Sequence, residues 1–143
     1  MKKIIIGSDH AGFEMKEHLS VFLKEQGFDV TDKGTYSAES TDYPDYAHAV
    51  AREVENNNDN TGILLCGSAN GVAITANKHA GIRAALCWNT EVASLARQHN
   101  NANIICIPAR FVNNAEAEKM TTLFLETAFE GGRHQKRVEK ISC

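Results

Sequence analysis

Between Gly62 and Lys78 an apolar run, Ile63-Leu64-Leu65, ends on Cys66. The small-residue loop Gly67-Ser68-Ala69-Asn70-Gly71 follows at once, and a helical pattern restarts with Val72-Ala73-Ile74. A strand, a tight glycine loop and a helix start in that order gather backbone N–H groups into an anion cradle, to which the helix dipole adds partial positive charge. Cys66 stands at the mouth of this cradle. A thiol near a helix N-terminus ionises more readily, which makes Cys66 a candidate base or nucleophile. Free cysteine is also a common small buried hydrophobe, and this segment alone leaves both readings open.

Two further apolar runs end on chemistry-bearing residues: Gly7-Ser8-Asp9-His10 follows Ile4–Ile6, and Pro108-Ala109-Arg110 follows Ile104–Ile107. A carboxylate, an imidazole, a thiol beside a backbone cradle and a guanidinium thus sit at three strand ends. The stretch Arg97-Gln98-His99-Asn100-Asn101 closes a helical pattern. There His99 is either a reacting imidazole or a partner for the helix C-terminal dipole. In the tail Gly131-Gly132-Arg133-His134-Gln135-Lys136-Arg137, the two arginines stand four residues apart. In a helix they share a face and suit a phosphate, the alternative being a solvated basic terminus. Neither a Gly-x-x-x-x-Gly-Lys-Ser/Thr loop nor a Gly-x-Gly-x-x-Gly turn is present, so the phosphate in question belongs to a small ligand and not to a nucleotide.

The elements that must position these groups follow from periodicity. Strand-length apolar runs occur at Ile4–Ile6, Phe28–Val30, Ile63–Cys66, Arg83–Cys87 and Ile104–Ile107. Between them, Phe13, Leu19, Phe22 and Leu23 recur at helical spacing and stop near Gly27 as a C-cap. Pro44 opens a helix carrying Ala47, Val50, Ala51 and Val54, and Thr90 is placed to cap one carrying Val92, Ala93, Leu95 and Ala96. A last long helix is expected from Asn114 to Phe129, followed by a tail helix. Strands alternating with helices predict one α/β domain over residues 1–143, with a parallel sheet covered on both faces and ligands beyond the carboxyl ends of its strands.

Composition narrows the function. With 143 residues, a formal net charge of −3 and no dominant basic face, the chain lacks the footprint of a nucleic-acid binder. The apolar start Ile4-Ile5-Ile6 is too short for a signal peptide, and no run reaches membrane-spanning length. A cytoplasmic enzyme with no membrane partner is the expectation. Cys66, Cys87, Cys106 and Cys143 show no paired spacing, which predicts reduced thiols and no zinc-type metal site.

Seven segments, in register, resemble the type B ribose-5-phosphate isomerase family, which includes allose-6-phosphate and galactose-6-phosphate isomerase subunits. They are Gly7–Gly12, Asp42–Ala47, Cys66–Ser68 with Asn70-Gly71, Ala76–Lys78, Gly81–Ala84, Arg97–Asn100 and Glu130–His134. The resemblance spans essentially the whole chain. It implies a cofactor-free aldose–ketose isomerase interconverting ribose 5-phosphate and ribulose 5-phosphate, with a three-layer, doubly wound Rossmann-like fold on a five-stranded parallel sheet. It also implies a homodimer with active sites at the interface and the tail 131–143 packed on the partner, and it is compatible with a further pairing of dimers. By the same resemblance Cys66 is the base that moves a proton between C1 and C2, and His99 opens the sugar ring with Asp9 nearby. Gly67, Ser68, Ala69, Asn70 and Gly71 form the enediolate cradle, with the Ser68 hydroxyl taking part. His10, Arg110, Arg133 and Arg137 contact the phosphate or substrate, and Asn100 contacts a hydroxyl. Three positions depart from common family patterns: Ser68 replaces a threonine, Ala69 a glycine, and Val72 the glutamate base of another branch. Valine cannot take a proton, so the base role falls to Cys66. A six-carbon sugar-phosphate isomerase and a non-catalytic phosphosugar-binding module are the alternatives.

Overall fold

The computed structural model describes residues 2–142. Five strands, β1 (Lys3–Ser8), β2 (Asp29–Asp32), β3 (Asn60–Cys66), β4 (Ala84–Leu86) and β5 (Ile104–Pro108), form one all-parallel sheet in the order β2-β1-β3-β5-β4. The three central strands are apolar on both faces, so each face needs a helical cover. Ile5, Leu64, Cys66, Ile104 and Cys106 pack under α2 (Tyr43–Asn56) and α3 (Asn70–Ala76). Ile4, Ile6, Ile63, Leu65, Ile105 and Ile107 pack under α1 (Phe13–Glu25), α4 (Thr90–Asn100) and α5 (Asn114–Glu126). A short α6 (Arg133–Glu139) rests against α4. The three-layer, doubly wound architecture agrees with the expectation from sequence.

Strand order locates the ligand crevice. After β1 the chain adds β2 on one side, then returns to add β3 on the other. The carboxyl ends of β1 and β3 therefore diverge at a topological switch point, where such sheets bind ligands. Asp9 follows one of these ends and Gly67 the other.

Several boundaries differ from the sequence expectation, each for a local reason. Gly27, at φ +92°, closes α1 with a Schellman pair: its N–H donates to Lys24 O and that of Phe28 to Leu23 O, both at 3.0 Å. Phe28 is thereby committed to the helix end, and β2 starts at Asp29. The cap of α4 is Asn89, not Thr90: its extended backbone lets the side-chain oxygen accept from Val92 N at 2.9 Å. Helix α5 stops at Glu126 and does not reach Phe129. Thr127 turns extended there, and its carbonyl accepts from Arg97 Nε at 3.2 Å in place of another helical turn. Strand β4 is trimmed to Ala84–Leu86, and Arg83 N donates to the Asn103 side chain at 2.8 Å.

Candidate active site

A cleft of about 470 Å³ opens at the switch point, lined by Asp9, His10, Ala11, Tyr43, Cys66, Gly67, Ser68, Gly71, Arg110 and Phe111. Cys66 is the last residue of β3, in register with Pro108 at the end of β5, and its residue is only 5% exposed. Beyond it, Ala109 N donates to Cys66 O at 2.9 Å and Arg110 N to Gly67 O at 3.1 Å. Those bonds bring the Arg110 guanidinium over Gly67.

The cradle after Cys66 is tightly turned. Ala69 adopts φ +65°, ψ −1°, the left-handed region that a side chain makes costly. From there α3 begins, and its first N–H groups have no preceding turn to bond. The Ser68 hydroxyl accepts from Asn70 N and from Asn70 Nδ2, both at 3.3 Å, which fixes the loop from within. A Cβ on Gly71 would overlap the Tyr43 ring, so glycine here lets α2 and α3 approach closely enough for Tyr43 to wall the cleft.

Asp9 and His10 are held by their own turn. Asp9 Oδ1 accepts from Ala11 N at 3.0 Å and Gly12 N at 3.2 Å, while Asp9 N donates to Leu65 O at 3.3 Å. The carboxylate is thus oriented and nearly buried. Thr41 N donates to His10 Nδ1 at 3.2 Å, which leaves the ring proton on Nε2 as the donor this imidazole can offer a ligand.

The remaining sequence-predicted residues lie elsewhere on the same chain. His99 and Asn100 end α4 just before β5 begins, at the amino edge of the sheet. Four strand steps from Ile104 to Pro108 span roughly 13 Å, which puts His99 well beyond contact with Cys66. His99 stacks on His134, ring centroids 4.2 Å apart and planes within 13°. Glu130 Oε1 lies 3.5 Å from His134 Nε2 and 3.9 Å from His99 Nε2. The ligand atoms of these three residues are within 4.8 Å of one another, the one such His/Cys/Asp/Glu group among the described residues. Face-to-face rings aim their lone pairs alongside one another and not at a common point, and Arg133 and Arg137 stand nearby on α6, so the arrangement suits shared protons better than a cation. Burial foremost, then His99 and Arg133, push the His134 imidazole below its ordinary pKa, with Glu130 opposing. Asp9 and His99 are therefore not neighbours within one chain.

Tyr43, Ala11 and Phe111 escaped the sequence reading as cleft residues. An exposed aromatic directly after a strand-end arginine, as Phe111 is, was the available signal. Among the described residues the two other thiols do not compete with Cys66 for chemistry: burial pushes Cys87 up to about 12, and burial, then Cys87 and Cys66, raise Cys106 well above the ordinary thiol value, while Cys143 lies outside the described residues.

A thiol and a backbone cradle, with a guanidinium over the cradle's first glycine, can move a proton on a phosphorylated substrate and hold the oxyanion that results. The protein is an isomerase of the α/β type. It belongs to the Ribose/Galactose Isomerase family, which it matches over residues 4–141. It is 46% identical over 143 residues to a ribose-5-phosphate isomerase B of Escherichia coli (strain K12), covering 100% of this chain and 96% of that one. Among solved structures it is similar to a ribose 5-phosphate isomerase from Thermotoga maritima (TM-score 0.96, 50% identity, covering 99% of this chain and 97% of that one). It is likewise similar to a ribose-5-phosphate isomerase B from Mycoplasma genitalium with bound ribulose-5-phosphate (TM-score 0.94, 47% identity, 97% and 93% covered). No helix among the described residues is long and apolar enough to cross a membrane.

Proposed function

We propose that this protein interconverts ribose 5-phosphate and ribulose 5-phosphate, with Cys66 as the base. The observation that carries the reading is the buried strand-end thiol opening onto the Gly67–Gly71 loop within the cleft. The likeness to a Mycoplasma genitalium enzyme described with bound ribulose-5-phosphate supports the substrate. In the forward direction the Cys66 thiolate takes the C2 proton of the open-chain aldose, and electrons move onto O1 to give an enediolate. A proton passes from the C2 hydroxyl to O1, and the thiol then returns its proton to C1, leaving a hydroxyl at C1 and the ketone at C2. Charge appears on oxygen only as the reaction proceeds, so the Ser68 hydroxyl and the loop N–H groups favour the transition state over bound sugar. No step calls for a cofactor.

On this reading the site is completed by a second copy of the chain, in the cytoplasm. His10 and Arg110 contribute to phosphate and substrate binding from one subunit. The partner subunit's Arg133 and Arg137 add two guanidiniums, its Asn100 contacts a hydroxyl, and its His99 opens the ring, with Asp9 facing it across the interface. What supports this assembly is the separation of Cys66 and His99 to opposite ends of one sheet. The experiment is direct: purified protein given ribose 5-phosphate accumulates ribulose 5-phosphate, faster than it turns over allose 6-phosphate or galactose 6-phosphate. Faster turnover of a six-carbon substrate would reassign the sugar, and no turnover of any would leave a binding module.

A further inference from the structure

A second polar cavity, about 350 Å³, lies at the end of the sheet opposite Cys66. Its walls come from the starts of four strands: Lys2 before β1, Asn60 and Thr61 in β3, Arg83 before β4 and Asn103 before β5. Arg97 of α4 completes it. Three cations face this space, no carboxylate lines it, and none of the three makes an ion pair among the described residues.

Both guanidiniums are anchored by part of their edges. Arg83 Nε donates to Asn100 O at 3.2 Å and Asn101 O at 3.0 Å. Arg97 donates through Nε to Thr127 O and through Nη1 to Ala102 O and the Asn101 side chain. The carbonyls at the end of α4 offset part of the charge, but a helix terminus supplies only about half an elementary charge against three full ones. Both terminal nitrogens of Arg83 and Nη2 of Arg97 have no hydrogen-bond partner among the described residues. Burial foremost lowers all three groups, and like charge adds to it at two of them: Arg97 at Lys2, and Arg83 at Arg97.

We propose that this cavity binds a phosphoryl group, held between the Lys2 ammonium and the free edges of Arg83 and Arg97, at a site separate from the cleft of Cys66. Two anchored guanidinium forks and an unpaired ammonium suit a multiply charged tetrahedral oxyanion, and the polar walls limit screening. Free phosphate and the phosphoryl end of a metabolite offer the same chemistry.

The test is an amide-resolved NMR titration of the full chain with inorganic phosphate in one arm and glycerol 3-phosphate in the other. The site predicts saturable shifts at Thr61 and Asn103 that persist in Arg110→Ala, whose own losses fall on the Gly67–Gly71 amides. Whichever compound saturates Thr61 at lower concentration identifies the source. Lys2→Glu, on an exposed residue, weakens this binding by about tenfold or more while leaving isomerase turnover unchanged. Arg83→Gln weakens it similarly where it folds. Absence of saturable shifts at Thr61 and Asn103 in both arms would overturn the proposal, as would shifts that Lys2→Glu leaves intact.

Discussion

The rings of His99 and His134 lie face to face, 4.2 Å between centroids, with the Glu130 carboxylate reaching toward both. The buried ring, His134, is held below its ordinary pKa, by burial foremost and then by His99 beside it.

That depression has a sign in stability. His134 binds fewer protons folded than unfolded, so it costs stability once the unfolded chain's histidine protonates. Stability should fall as pH drops through about 6.5, where an ordinary imidazole in the unfolded chain protonates, and the loss should level off below the folded pKa. Urea unfolding midpoints from pH 7.5 down to 5, compared with His134→Gln, test this: the variant should show a shallower decline. An equal decline in both proteins would remove His134 from the account.

Cys66→Ala should fold, with a urea midpoint lowered only by what one small buried side chain contributes, and lose roughly 10²–10⁴ in turnover, the range for removing a positioned base. Single-turnover assays should also show exchange of the C2 proton with solvent abolished. Retained exchange would assign the base elsewhere.

Ala69 holds a left-handed backbone at φ +65°. Glycine relieves about 1–2 kcal/mol of that strain but loses a fully buried methyl worth about 0.8 kcal/mol and frees the unfolded chain, so Ala69→Gly should leave stability within about 1 kcal/mol of the wild type. Thermal unfolding measures it, and a loss well beyond about 1 kcal/mol would show that no strain offsets the lost methyl.

At Gly71 the Tyr43 ring fills the space a side chain needs. Gly71→Ala should cost about 1–3 kcal/mol by overpacking and raise KM by displacing a wall of the cleft. In a Tyr43→Ser background the stability penalty should largely vanish, a coupling that a double-mutant cycle reads directly. Additive losses would mean the two residues do not press on one another.

Much of this architecture was legible in the residues. Ile63-Leu64-Leu65 and Ile104–Ile107 are apolar on both faces, and only a strand covered by helices on both sides satisfies that pattern. Cys66, Asp9, His10 and Arg110 were found because strand ends are where such sheets place ligands. Less legible was the insertion of β5 between β3 and β4, which depends on long-range pairing. That placement sets Pro108 beside Cys66 and leaves His99 at the far edge, a separation within one chain that the linear order of residues does not show. Tyr43 escaped notice because its role comes from contact with Gly71, 28 positions away in the numbering.

The shared active site is the central claim, and mixed dimers test it most directly. Cys66→Ala and Arg137→Ala chains, each inactive alone, are unfolded together, refolded and isolated as heterodimers by two different tags. If each site draws Cys66 from one chain and Arg137 from the other, a heterodimer holds one doubly defective site and one intact site. It should recover about half the wild-type turnover per dimer. If Arg137 serves its own chain's Cys66, every site keeps one defect, and verified heterodimers that stay inactive would contradict the account.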